Sequence, residues 1–197
     1  MKITAMVTMA AVAAASAWAS EAERPAKRTV TVCVDPGPDV QAVRVAQVTA
    51  SKIFVEAGVR IDWRSRRSCP AGGEAIVVSL SNHTPGNKLR GAYAYALPYE
   101  GTHIVVFYDH VQKRVGPERA PFLLGYVLAH EITHILQCVS RHAPDGIMKA
   151  EFGPADFFEM WRGKLSFTPE DIQLIRWGMD ARESRAHANI VRSTVIR

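Results

Sequence analysis

The fold class predicted by this sequence of 197 residues is α+β: a mixed sheet of four to five strands, a long buried helix and a C-terminal helix. Three observations predict it. A strand–helix–strand pattern fills the first third, and short β-rich runs between turn residues fill the middle. A nearly continuous apolar helical stretch follows. With 48% hydrophobic and 22% charged residues, the chain can bury the core of one domain.

Thr29–Asp35 alternates like a strand and is stopped by Pro36-Gly37-Pro38. Asp39 is placed to cap a helix over about 40–57, whose apolar positions include Val40, Val43, Val45, Ile53, Phe54 and Val55, and Gly58 ends it. Val59–Arg64 alternates as a second strand, and Ala75–Leu80 is a continuous apolar run, as in a strand covered on both faces. Asn82, Pro85, Gly86, Asn87 and Gly91 mark a loop over 81–91. Ala92–Leu97 and His103–Val111 read as a hairpin about a turn from Pro98 to Thr102. Beyond Pro117, a mostly buried helix is expected from about Ala120 to Val139. A mixed segment with Phe152, Phe157, Phe158 and Trp161 follows, its aromatics and Trp177 being read as core. Thr168, with Asp171 three residues on, is placed to cap a last helix reaching about Arg182, and Glu183–Arg197 has no clear pattern.

The N-terminus has the composition of a secretory signal. Lys2 precedes an apolar run from Ile3 to Ala15, and Ala17-Trp18-Ala19 offers a small-x-small cleavage site. The organisation expected is therefore a signal peptide over 1–19, a lead-in over 20–28, one domain over 29–185 and a tail over 186–197. The mature protein would be secreted or periplasmic, with no stable membrane insertion, since no later stretch approaches the length of a bilayer span. In that compartment Cys33 and Cys69 can form a disulfide, leaving Cys138 as a buried free thiol. The formal charge of +5 is mild and the Arg64, Arg66, Arg67 cluster is short, so no nucleic-acid partner is expected. Asn82-His83-Thr84 is a formal glycosylation sequon of low specificity, and Asp109-His110 reads as a surface pair at a strand end.

The chemistry lies in His130-Glu131-Ile132-Thr133-His134. Histidines four apart on a helix share a face and converge on one metal ion, with Zn2+ the expected ion. Glu131 is placed to take a proton from a water held by the metal. The apolar neighbours Leu128, Ala129, Ile132, Ile135 and Leu136 make these polar groups costly to bury without a partner. A third ligand is required. His142, in a loop with Pro144 and Gly146, is the first choice, with Glu151, Asp156 and Glu159 as downstream alternatives. Ser140 is a poor zinc ligand. Cys138 lies about 12 Å along the helix axis from His130, too far to share one ion.

These residues resemble the metzincin clan of zinc peptidases, in which a third histidine follows the helix and a methionine-containing turn lies under the metal. The stretch HEITHILQCVSRHAPDGIMKAEF is more closely similar to a group of uncharacterised secreted bacterial proteins with the pattern HEIGHLLLG-x3-HSPTGIMRA-x-W. The resemblance implies a metallopeptidase-like domain, His130, His134 and His142 as zinc ligands, Glu131 as base and Met148 as the turn methionine. It also implies an edge strand that binds substrate, for which Ala92–Leu97 is nominated. Two departures stand out. Metzincins place the third histidine ten positions after the first, where this chain has Ser140. The glycine that breaks the helix falls on Gln137, or in the bacterial group on Cys138. The activity expected is that of a zinc endopeptidase acting on a peptide or protein. The alternatives are a secreted metal-binding module without turnover and an amide hydrolase acting on a non-protein substrate.

Overall fold

The computed structural model describes residues 28–35, 37, 39–70, 74–82, 92–96 and 102–195. The expected signal peptide, lead-in residues 20–27, Pro36 and Pro38, most of the loop over 81–91, the sequon residues His83 and Thr84, and the turn residues 97–101 lie outside them. The elements are β1 (Arg28–Asp35), α1 (Val40–Glu56), β2 (Val59–Ser65), a 3-10 turn (Arg66–Ser68), β3 (Ile76–Ser81), β4 (Ala94–Ala96), β5 (His103–Phe107), α2 (Tyr108–Val115), α3 (Ala120–Gln137), α4 (Pro154–Trp161) and α5 (Pro169–Val195). The sheet order is β2-β1-β3-β5-β4. Four strands run parallel, and β4 pairs antiparallel to β5 at one edge, with Tyr95 opposite Val105. This is the α+β domain with a five-stranded mixed sheet.

Each element follows from its residues. The Asp39 carboxylate accepts the Ala42 N–H at 2.9 Å, which starts α1, and Gly58 leaves the helix at φ +77°. Val43, Ala46, Ala50 and Ile53 recur at three- and four-residue spacing and are buried. Val40 and Val55, expected with them, fall off that stripe and are exposed. In β3, Ile76 and Val78 are buried while Val77 and Ser79 stay partly exposed, so the strand is half-covered rather than enclosed. The Thr168 and Asp171 side chains cap α5 reciprocally: Oδ2 of Asp171 accepts the Thr168 N–H at 3.1 Å, and the Asp171 N–H is donated to Thr168 Oγ1 at 3.2 Å.

Further expectations are corrected. The strand over His103–Val111 ends at Phe107, and Tyr108–Val115 is helical, with Lys113 bonded to Asp109 one turn back at 3.0 Å. The mixed segment contains α4, which starts at Pro154 with Asp156 accepting the Gly153 N–H at 2.7 Å. The last helix does not stop near Arg182 but runs to Val195. Trp177 is 59% exposed, on the outer side of that helix, and Phe158 in α4 is likewise exposed rather than in the core.

Cys33 and Cys69 are bonded, closing a separation of 36 residues, and Cys138 is free and half-buried. Two glycines let the helices approach closely. A Cβ on Gly125 in α3 would lie 2.5 Å from Thr49 Cβ in α1. One on Gly178 in α5 would lie 1.6 Å from the Leu136 carbonyl oxygen, at the C-terminal end of α3. Because that obstacle is backbone, Gly178→Ala is expected to cost about 3 kcal/mol of stability in denaturant unfolding. A loss below about 1 kcal/mol would mean that α5 does not cross α3 at that point.

Candidate metal centre

Helix α3 is buried along most of its length, and His130 and His134 lie on one of its faces with 8% and 6% exposure. Their hydrogen bonds decide which nitrogens face each other. His130 Nδ1 lies 2.8 Å from the Ile147 carbonyl oxygen, and His134 Nδ1 lies 3.1 Å from that of Val139. A carbonyl only accepts, so each Nδ1 carries the hydrogen and each Nε2 of a neutral ring bears a lone pair. Those two Nε2 atoms are 3.0 Å apart. Burial lowers the pKa of both rings, that of His130 to about 4, so at neutral pH no proton lies between the two lone pairs. A cation resolves the repulsion. Ligands at 2.0–2.1 Å on a tetrahedral ion lie about 3.3 Å apart, close to the spacing found.

His142 completes the set. Its ring lies 5.3 Å from His130 (near-parallel, 27°) and 5.0 Å from His134 (perpendicular, 86°), centroid to centroid. One ligand atom from each of the three histidines falls within 4.8 Å of the other two, an arrangement that can hold one metal ion. Among the described residues no other His, Cys, Asp or Glu joins the cluster. Asp156 is committed elsewhere, its carboxylate taken by Lys149 at 2.6 Å and by the Gly153 N–H. Glu159 lies near Arg162, and Glu151 lines the neighbouring cavity. Cys138 Sγ points back to the Ile135 carbonyl.

The route to His142 lacks the expected glycine, and the chain turns without it. Cys138 adopts φ +54°, ψ +30°, the one non-glycine residue at positive φ among those described. It thus takes the left-handed geometry that usually falls to glycine at the end of a helix. The returning loop is held at several points. Ala143 donates to the Met148 carbonyl at 2.7 Å, and Ile147 donates to that of Ser166 at 3.1 Å. Gly146, at φ +75°, has no room for a Cβ, which would meet Ser166 O at 2.6 Å. Arg141 is paired with the fully buried Asp171 at 3.0 Å, which ties the residue before His142 to the start of α5. Met148 is fully buried in the core next to Ile147, whose carbonyl orients His130.

Glu131 is 8% exposed, and among the described residues nothing hydrogen-bonds its carboxyl. Burial pushes its pKa up to about 8. It opens, with His130 and His142, onto a cavity of about 730 Å³. The other lining residues include Ala92, Tyr93 and Ala94 at β4, His110, Lys113 and Arg114 from α2, and Glu151 and Phe152. His110 is therefore no surface pair at a strand end. Its Nδ1 bonds the Ala92 carbonyl at 2.9 Å from within a helix. The Asp109–Lys113 spacing was the available signal for that helix.

A residue with a side chain at φ +54° carries a cost of about 1–2 kcal/mol. Cys138→Gly is expected to keep the fold and gain up to about 1 kcal/mol, whereas β-branched Cys138→Val should lose about 2 kcal/mol. Denaturant unfolding of both measures the sign. His142→Ala should weaken zinc binding by roughly a hundredfold or more in chelator competition, since it removes a ligand rather than a ligand's support. An affinity within threefold of the parent would exclude His142 from the site.

No protein-family model matches the chain, and none of the curated proteins does. Among solved structures the fold is similar to that of an archaemetzincin from Methanopyrus kandleri. The TM-score is 0.53 at 16% sequence identity, over 81% of this chain and 99% of that one. At that identity the likeness is one of fold, and it is the fold in which the three histidines are set.

Proposed function

We propose that this protein is a secreted zinc-dependent metallohydrolase that cleaves within peptide chains. The observation that carries the reading is the convergence of His130, His134 and His142 beside an open cavity onto which Glu131 also opens. Three protein ligands beside an accessible space suit a catalytic site, whereas a purely structural zinc has four and is closed. Zinc bound there supplies a Lewis acid that polarises a carbonyl and makes water nucleophilic near neutral pH.

The chain's own residues supply the rest. Glu131 takes a proton from the attacking water as its oxygen bonds to the carbonyl carbon. As the carbon–nitrogen bond breaks, Glu131 returns that proton to the departing nitrogen. Its pKa near 8 without metal falls when a dication sits nearby, so the carboxylate is available at neutral pH. The edge strand β4 borders the cavity through Ala94, with Ala92 and Tyr93 just before it, and an extended substrate can add to this edge by main-chain hydrogen bonds. The Cys33–Cys69 bond and the signal-like N-terminus support an extracytoplasmic location. Met148, beside the carbonyl that orients His130, serves as the packed turn residue of the site.

Glu131→Gln should keep zinc affinity within a few-fold and lower kcat on mixed peptide substrates by roughly a hundredfold to ten-thousandfold. Peptidase activity retained in that variant would sink the mechanism. Zinc binding without turnover by the parent protein would sink the enzyme reading in favour of a metal-binding module.

A further inference from the structure

The cavity has a charged side that the three-histidine site does not use. Lys113 and Arg114, in the last turn of α2, both line it, together with Tyr93 and Lys149. Two of these cations already have carboxylate partners: Lys113 is bonded to Asp109 at 3.0 Å and Lys149 to Asp156 at 2.6 Å. Arg114 differs. Its guanidinium carbon lies 5.2 Å from the centroid of the Phe157 ring, and the group also lies beside the Tyr93 hydroxyl. Among the described residues no carboxylate lies within 4 Å of it. Stacking on an aromatic face steadies a guanidinium while leaving its in-plane N–H donors exposed, and those donors match two carboxylate oxygens. The acids on the lining are Glu131, assigned to the metal side, and the exposed Glu151, which is close enough to Tyr93 to oppose the pull of Arg114 on its hydroxyl.

We infer that Arg114, with Tyr93 beside it, is a specificity determinant that captures a substrate carboxylate in the cavity, either an acidic side chain or a free C-terminus. The inference rests on the hydrolase reading for the word substrate. For the carboxylate it rests on Arg114 with Phe157 and Tyr93 beside it. Arginine suits the task better than lysine because its fork recognises the two oxygens together.

The test uses zinc-loaded parent protein, Arg114→Gln and Arg114→Lys, each first checked for an unchanged melting temperature and zinc content. End-blocked alanine-rich hexapeptides with one Glu, or one Gln, stepped through every position test the side-chain source. The same all-neutral peptide with a free or an amidated C-terminus tests the terminal source. One of the two pairs should show a preference in kcat/KM of roughly tenfold to a hundredfold for the carboxylate. That ratio should fall to near one in Arg114→Gln and to an intermediate value in Arg114→Lys. Calorimetric titration with glutarate and with glutaramide reads capture without turnover. Any pull of the zinc on glutarate is common to parent and Arg114→Gln, so a tenfold loss between them belongs to Arg114. If no peptide is hydrolysed yet glutarate binding drops in Arg114→Gln, the peptidase reading fails and the carboxylate site stands. Equal glutarate binding by parent and Arg114→Gln overturns the inference. So does hydrolysis in which neither peptide pair shows a ratio above about two.

Discussion

Two imidazole nitrogens, each with its lone pair directed at the other across 3.0 Å inside a buried helix, are the constraint from which the rest of the site follows. An apolar helix interior does not tolerate that arrangement unless something positive lies between the rings. Their orientation is enforced from one segment. The Val139 and Ile147 carbonyls hold the Nδ1 hydrogens of His134 and His130, and His142 rides on the same loop between them. The nine residues from Val139 to Ile147 thus bring the third histidine and set the tautomers of the first two, and an imidazole's outer hydrogen bond is what aims its other nitrogen.

The remaining architecture keeps that loop and α3 in register. Bare glycines at 125 and 178 let α1 and α5 pack directly on α3, so its position is set from both sides. The Asp171 carboxylate caps α5 with one oxygen and holds Arg141 with the other, which connects the start of the last helix to the residue preceding His142. Tyr126, in α3, reaches the Met160 carbonyl at 3.3 Å and joins α4 to the same helix. These are buried polar links, each satisfied by a defined partner, and they confer position more than stability. On the open side, β4 and α2 border a cavity whose lining combines two kinds of chemistry. It includes two of the histidines and a carboxyl lifted by burial, and also an arginine stacked on an aromatic ring.

Much of this was legible in the residues, though unevenly. The HExxH spacing implied a shared helical face because 3.6 residues per turn leave little freedom, and Thr168 with Asp171 announced a helix start by local chemistry. The region between β5 and α3 was misread. Val106 to Val111 has strand-like composition, and only the Asp109–Lys113 pair argued for a helix. That error placed His110 on a surface and left Tyr93, Arg114 and the cavity unseen, since a cavity is formed by elements distant in sequence.

The residues by themselves determined the α+β class, the boundaries of α1, β2 and α3, and His130, Glu131 and His134 as one unit, because each rests on short-range periodicity and capping. Which side chain joins His130 and His134 was decided only by the tertiary structure. Among His142, Glu151, Asp156 and Glu159, the outcome turned on a left-handed Cys138, a Lys149 already holding Asp156, and an Arg141 anchored on α5. None of those three facts is local. Each is a contact or a backbone geometry that exists only once the loop has closed against α3 and α5, which is why chain order could nominate His142 and only packing could place it.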